Sequence, residues 1–188
     1  ALPNNAKLIR WVSAAATVPP LLMAIWLFAN FDRSQAGFQF VEKYQWIPSF
    51  NISYHMGVDG LSISMILLTA LLCFLCIFAS FGIDKAVKGY FALFLMLDAG
   101  MMGVFCALDF FLFFVFWEVM LLPMYFLIGI WGGPRREYAS IKFFLYTFFG
   151  SAFMLIAILA LYFTAEPHSF DMTVMMAQAN KFGTEVLP

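Results

Sequence analysis

Two carboxylic acids stand where the surrounding residues leave little reason for a charge. Asp98 lies inside the apolar run Tyr90 to Leu108, and Glu118 lies inside the run Phe110 to Trp131. If these runs are membrane-spanning helices, a charge at such depth costs at least about 2.5 kcal/mol, so an acid there faces a bundle interior or a watery cavity. The two runs meet at Leu108-Asp109, with Asp98 ten residues before that junction and Glu118 nine after it. At about 1.5 Å per residue, both carboxyls are expected near the midplane of a ~30 Å hydrocarbon core. Pro123 follows Glu118 by five residues and cannot donate to the carbonyl of Val119, which loosens the helix one turn from the acid. A carboxyl so placed can take up and give back a proton as a nearby cation approaches or withdraws, which is what a proton relay needs. The plain alternative is that both acids are hydrogen-bonded glue between helices.

Other residues of chemical interest have simpler readings. Lys142 lies about one turn into the run Ile141 to Phe163, where its long stem can snorkel to the surface. Asp109 reads as a turn residue and helix N-cap, and Arg135-Arg136 as a topology anchor. His55 and His168 fall in connecting segments and read as solvated or hydrogen-bonded histidines. Cys73 and Cys76 have a C-x-x-C spacing, but no second pair or neighbouring histidine completes a metal site, and packing is the expected role. Gly132-Gly133-Pro134 follows no strand and reads as a tight connection rather than a phosphate cradle. No dinucleotide fingerprint, iron-sulfur cysteine set or haem histidine pair is written in these residues, so no cofactor is expected in this chain.

The elements that must position these residues follow from composition. The chain has 188 residues, of which 64% are hydrophobic and 11% charged, with a mean hydropathy of +0.90. That balance points to an all-α, polytopic transmembrane bundle in a lipid bilayer. Five spans are expected, at about 8–30, 59–81, 89–108, 109–131 and 138–164. Lys7, Arg10, Lys85, Lys88, Arg135, Arg136 and Lys142 all fall on alternate connections, which assigns those connections to the cytoplasmic face. The long connection 31–58 lies on the outer face. Its run Phe38 to Trp46 fits a hairpin, while Tyr44, Trp46 and Tyr54 fit interfacial aromatics equally well. Residues 169–181 read as a short interfacial helix capped by Ser169 or Asp171. No internal repeat or linker divides the chain, so 1–188 is taken as one membrane domain. No initiator Met or signal peptide opens it, and a longer parent protein is expected. The net charge of −1 gives no reason to expect a nucleic-acid partner.

The run Phe116-Trp117-Glu118-Val119-Met120-Leu121-Leu122-Pro123-Met124-Tyr125-Phe126-Leu127-Ile128-Gly129-Ile130-Trp131-Gly132-Gly133 resembles the fifth transmembrane helix of the antiporter-like membrane subunits of NADH:quinone oxidoreductase, respiratory complex I, and most closely the M type, or chain 4. Gly57-Val58-Asp59-Gly60-Leu61-Ser62 and Lys142-Phe143-Phe144-Leu145-Tyr146-Thr147 with Gly150-Ser151 agree, and the resemblance runs from Leu8 to Asp171. It implies a fourteen-helix fold of two inverted five-helix repeats, of which this chain supplies helices two to six. It also implies proton pumping driven by quinone reduction elsewhere in the complex. Glu118 matches the glutamate that pairs with a lysine on helix seven, Lys142 matches a basic residue on helix six, and Asp98 falls where an acidic residue also occurs. The resemblance further implies L-type and N-type neighbours, FMN, iron-sulfur clusters and quinone in partner subunits, and a bacterial inner membrane, with the mitochondrial inner membrane or the thylakoid as lesser alternatives. Multi-subunit cation/proton antiporters and membrane-bound hydrogenases share the fold, and a non-conducting spacer is the reading from outside transport.

Overall fold

The computed structural model describes residues 5–35 and 37–178. Its chain order is helix α1 (Ala6–Asn30), strands β1 (Gln39–Ile47) and β2 (Ile52–Val58), then helices α2 (Ser62–Ala79), α3 (Val87–Cys106), α4 (Phe110–Trp131), α5 (Arg136–Thr164) and α6 (Met172–Ala177). Five of the helices are long and apolar enough to cross a membrane. Their surfaces fit a lipid solvent, since Trp11, Tyr146, Phe149 and Phe163 are all more than half exposed.

Local chemistry sets the helix starts. Asp59 Oδ1 accepts from the amides of Leu61 (3.1 Å) and Ser62 (2.7 Å), so α2 begins after Asp59 rather than at it. Asp109 caps α4 by accepting from Phe111 N and Leu112 N, and Asp171 caps α6 by accepting from Thr173 N. The helix expected over 169–181 therefore starts only after Asp171, and its last described turn ends at Gln178. Residues 179–181 lie outside the described residues.

The helices pack as a triangle of α1, α2 and α3, with α4 laid against α3 and α5 against α4. Small residues set the α3–α4 spacing. A Cβ at Gly103 would lie 2.3 Å from the Phe116 ring, and one at Gly100 would lie 2.6 Å from Met120, so neither position has room for a side chain.

Hydrogen bonds tie the connections together at two ends of the bundle. At one end the Arg10 guanidinium donates to Ile83 O (2.9 Å) and Asp84 Oδ1 (2.7 Å), and Trp131 Nε1 donates to Lys85 O (2.7 Å). At the other, Leu108 N donates to His55 O (2.8 Å), Phe110 N to Phe170 O (2.8 Å) and Met172 N to Leu108 O (2.9 Å). The cation-bearing connections thus gather at one end and the hairpin at the other.

β1 and β2 pair antiparallel, with Lys43 opposite His55, Tyr44 opposite Tyr54 and Gln45 opposite Ser53. Asn51 makes the turn in the left-handed region (φ 55°), which asparagine tolerates well. Alternation along β2 buries Ser53 and His55 and exposes Tyr54. The hairpin and the exposed aromatics are therefore one feature, since Tyr44, Trp46 and Tyr54 stand on its outward surface.

Candidate functional site

Asp98 lies eight residues before the end of α3 at Cys106, and Glu118 lies eight residues after the start of α4 at Phe110. At about 1.5 Å per residue, each is roughly 12 Å from the junction of the two helices, and the two acids share one depth. Their directions differ. Gly100 and Gly103 face α4 across Met120 and Phe116. Asp98 is two residues from Gly100 and Glu118 two from Phe116, so each points about 200° away from the α3–α4 contact.

Asp98 faces the α1 and α2 side. It is 5% exposed, and it lines a cleft of about 550 Å³ with Pro20, Met23, Ile66, Met102 and Cys106. Its Oδ1 is buried without a hydrogen-bond partner among the described residues. Such an oxygen costs about 1–3 kcal/mol if it stays unpaired, so water, a proton or a cation in the cleft is favoured.

Glu118 belongs to the stripe Phe114, Glu118, Tyr125 and Gly129, whose helical spacing puts it on one face. Phe114 packs on the cluster that contains Ile158 of α5, Tyr125 meets Phe144 at 5.4 Å between ring centroids, and Gly129 abuts Ser140. That face is the one turned to α5. Glu118 Oε1 is also buried without a hydrogen-bond partner among the described residues. Both acids thus have one buried carboxyl oxygen without a hydrogen-bond partner among the described residues.

Lys142 is not brought to either acid. On α5, Ser140 and Phe144 face α4, and Lys142 lies two residues beyond Ser140 on the far side. Its ammonium sits over the rings of Tyr138 (5.7 Å) and Tyr146 (5.8 Å), both well exposed. Lys142 is six residues into α5 and Glu118 thirteen before the end of α4 at Trp131, so they differ in depth by about 10 Å. None of the ion pairs among the described residues joins any two of Asp98, Glu118 and Lys142. Cys73 is buried and Cys76 exposed, so the pair diverges rather than forming a site.

A second cluster, at the hairpin end, escaped the sequence reading. His55, expected as a solvated or hydrogen-bonded residue, is 4% exposed, and Asp109 and Asp171 are 0% and 2% exposed. Asp171 Oδ2 takes the Lys43 ammonium at 2.5 Å, and His55 Nδ1 stands 3.1 Å from the same oxygen without the alignment of a hydrogen bond. Burial raises the cost of a charge on Asp171. The bonds from Lys43 and Thr173, with His55 close by, outweigh it and hold the carboxyl below its usual range. Asp109 is pushed up by burial, against hydrogen bonds from Ser53, Leu112 and Phe111. The sequence signal was the strand alternation around Tyr54, which turns Ser53 and His55 to one face and Tyr54 to the other.

Residues 12–107 match the family model for the amino terminus of NADH-ubiquinone oxidoreductase chain 4. The chain belongs to the chain 4 family. Residues 107–187 match a second model, that of the transmembrane region shared by NADH:quinone oxidoreductase and Mrp antiporter subunits. Among curated relatives, the chain is 41% identical to NADH-quinone oxidoreductase subunit M of Rickettsia typhi over 90% of this chain and 34% of that protein. It is 47% identical to subunit M of Rhodobacter capsulatus over 88% of this chain and 31% of that protein. It therefore spans about a third of the length of these relatives. A chain of respiratory complex I from Thermus thermophilus with bound NADH superposes with a TM-score of 0.78 at 25% identity, over 92% of this chain and 36% of that one. Membership in this family and five apolar helices make this chain 4 relative an integral membrane protein.

Proposed function

We propose that the chain is part of a proton-translocating M-type subunit of an NADH:quinone oxidoreductase and holds a half-channel centred on Glu118, which takes up and releases the transported proton. The observation that carries this is the buried Glu118 Oε1, unpartnered among the described residues, at mid-depth on the α4 face turned to α5. An uncompensated carboxylate there is costly, whereas a carboxyl that accepts a proton, or meets a cation brought by a neighbouring helix, is not. Pro123 frees the carbonyl of Val119 one turn away, an acceptor that water in such a path can use.

Asp98 serves the same transport from the α1–α2 side, where its open cleft admits water to a second mid-depth acid. Lys142, on the far side of α5, is the basic group further along the same path rather than the partner of Glu118. NADH oxidation and quinone reduction, with FMN and iron-sulfur clusters, belong to partner subunits, and the membrane neighbours are L-type and N-type subunits. The bacterial inner membrane fits relatives from Rickettsia and Rhodobacter.

The test is Glu118→Gln in the assembled complex, with proton uptake into vesicles measured against electrons delivered to quinone. A fall in protons per electron is expected, and an unchanged ratio would falsify the transport role.

A further inference from the structure

The cleft beside Asp98 is walled in a way that selects a chemical class of ligand. Its lining runs along α1 from Ala16 to Leu27 and along α3 from Leu95 to Cys106, about 16 Å on each helix. Both helices run from the cation-bearing end to the hairpin end, so the cleft is a groove along them. Its volume of about 550 Å³ is that of a small-molecule site, and such sites favour spaces between helices, with apolar walls and few polar groups. Met23, which lines it, is 65% exposed, so the groove opens on the outer surface of the described bundle. Glu118, Lys142, Lys43 and Asp171 do not line it.

The polar groups of the groove are acceptors. Asp98 is 5% exposed, and its Oδ1 has no hydrogen-bond partner among the described residues. The Cys73 thiol of α2 lies against the carboxyl but is a weak donor. A second acceptor comes from the backbone. Pro20 stands inside α1 and has no amide hydrogen, so the Ala16 carbonyl one turn before it loses its helical donor. Ala16 and Pro20 both line the groove, so the freed carbonyl belongs to its wall. The neighbouring hydroxyl, Thr17 Oγ1, donates to Ala14 O (2.9 Å) instead.

No lining side chain other than the Cys106 thiol offers a donor. Met23, Met56 and Met102 give flexible, polarizable walls that adapt to the shape of a ligand. Phe116 adds an aromatic ring of the kind that attracts cations.

We propose that this groove binds a lipophilic amine, with the protonated amino group on Asp98 and the Ala16 carbonyl and the apolar chain lying between α1 and α3. An ammonium has three donors and no acceptor, which matches a site made of acceptors. It also balances the buried acid, whose lone charge is costly at mid-depth. An alcohol of the same chain length brings no charge to Asp98, and a carboxylate meets it as a like charge.

The test uses the assembled complex in lipid nanodiscs. The probe is dodecylamine carrying a photoreactive diazirine, compared with the matching dodecanol and dodecanoic acid. Crosslinks mapped by mass spectrometry are expected within Ala16 to Leu27 and Leu95 to Cys106, with the amine labelling most at equal concentration. Asp98→Asn, which keeps the size and removes the charge, is expected to raise the Kd for the amine about tenfold or more. Pro20→Ala returns a donor to the Ala16 carbonyl and is expected to raise that Kd about threefold. If Asp98→Asn fails to assemble, Pro20→Ala and the three head groups on the native complex decide. Equal labelling by amine and alcohol, or a Kd for the amine that the assembled variants leave unmoved, overturns the proposal. So does labelling only outside the groove, since water or another part of the complex then fills it. Labelling is read without pumping, so its failure leaves the Glu118→Gln test of transport untouched, and a failed Glu118→Gln test leaves the amine site standing.

Discussion

Asp98 and Glu118 occupy the same depth on adjacent antiparallel helices yet turn their carboxyls to opposite sides of the α3–α4 contact. Phe116, Met120 and the two glycines of α3 fill the space between them. The pair is therefore not a shared-proton dyad, and each acid answers to its own surroundings.

Independence of this kind is measurable. The changes in stability caused by Asp98→Asn and Glu118→Gln should add in the double variant to within about 0.5 kcal/mol. Thermal unfolding of the four purified forms in detergent checks this, and a coupling above about 1 kcal/mol would place the acids in one network after all.

Gly103→Ala tests the packing that separates them. The added Cβ would meet the Phe116 ring at 2.3 Å, so α3 and α4 must move apart, at a cost of roughly 1–3 kcal/mol. A lowered Tm is expected, and Phe116→Ala in the same chain should recover part of it by making room. An unaltered Tm for Gly103→Ala alone would mean that the helices are less closely packed than described.

Asp109→Ala removes the N-cap of α4 and the bonds to Ser53 in one step. Loss of a cap costs about 1 kcal/mol, and the stranded Ser53 amide adds roughly 1–3 kcal/mol. Hydrogen exchange should show faster exchange at Ser53, Phe111 and Leu112 together. Faster exchange confined to α4 would show that the tie to the hairpin contributes little.

The two carboxyls at the hairpin end impose opposite pH dependences. Asp171 is held below the usual carboxylate range, so its contribution to stability is present above that range and is lost as pH falls through its lowered folded value. Asp109 is pushed above the range, so its effect favours the folded state at low pH and fades as pH rises through its raised folded value. Asp171→Asn should thus remove part of the acid sensitivity of the Lys43 contact, and Asp109→Asn should remove the loss on the higher-pH side. Unfolding followed from pH 3 to pH 7 distinguishes them, and identical profiles for both variants would contradict the opposite shifts.

Much of this arrangement was legible from the residues in order. Apolar runs gave the five long helices because lipid demands length and hydropathy over a whole segment, and residue counting gave the common depth of Asp98 and Glu118. Facing was not legible. It depends on which neighbour each helix packs against, and that is decided by Gly100 and Gly103 meeting residues on another helix. Lys142 shows the same limit, since its place two residues from Ser140 carries it off the α4 face. The hairpin-end cluster was hidden for a different reason. Lys43, His55, Asp109 and Asp171 are far apart in sequence, and each alone fits an ordinary connecting segment. Only the pairing of β1 with β2, and the docking of that pair beneath Leu108 and Met172, brings them together.

Asp109 and Asp171 each perform two tasks with one carboxyl group, starting a helix with one oxygen and gripping the hairpin with the other. A load that peels β1 and β2 away is passed straight to the first turns of α4 and α6. The strands and those two turns should consequently rupture as a single mechanical unit, so that tugging on this small ribbon is felt inside the bundle before any of its helices has begun to unwind from its far end.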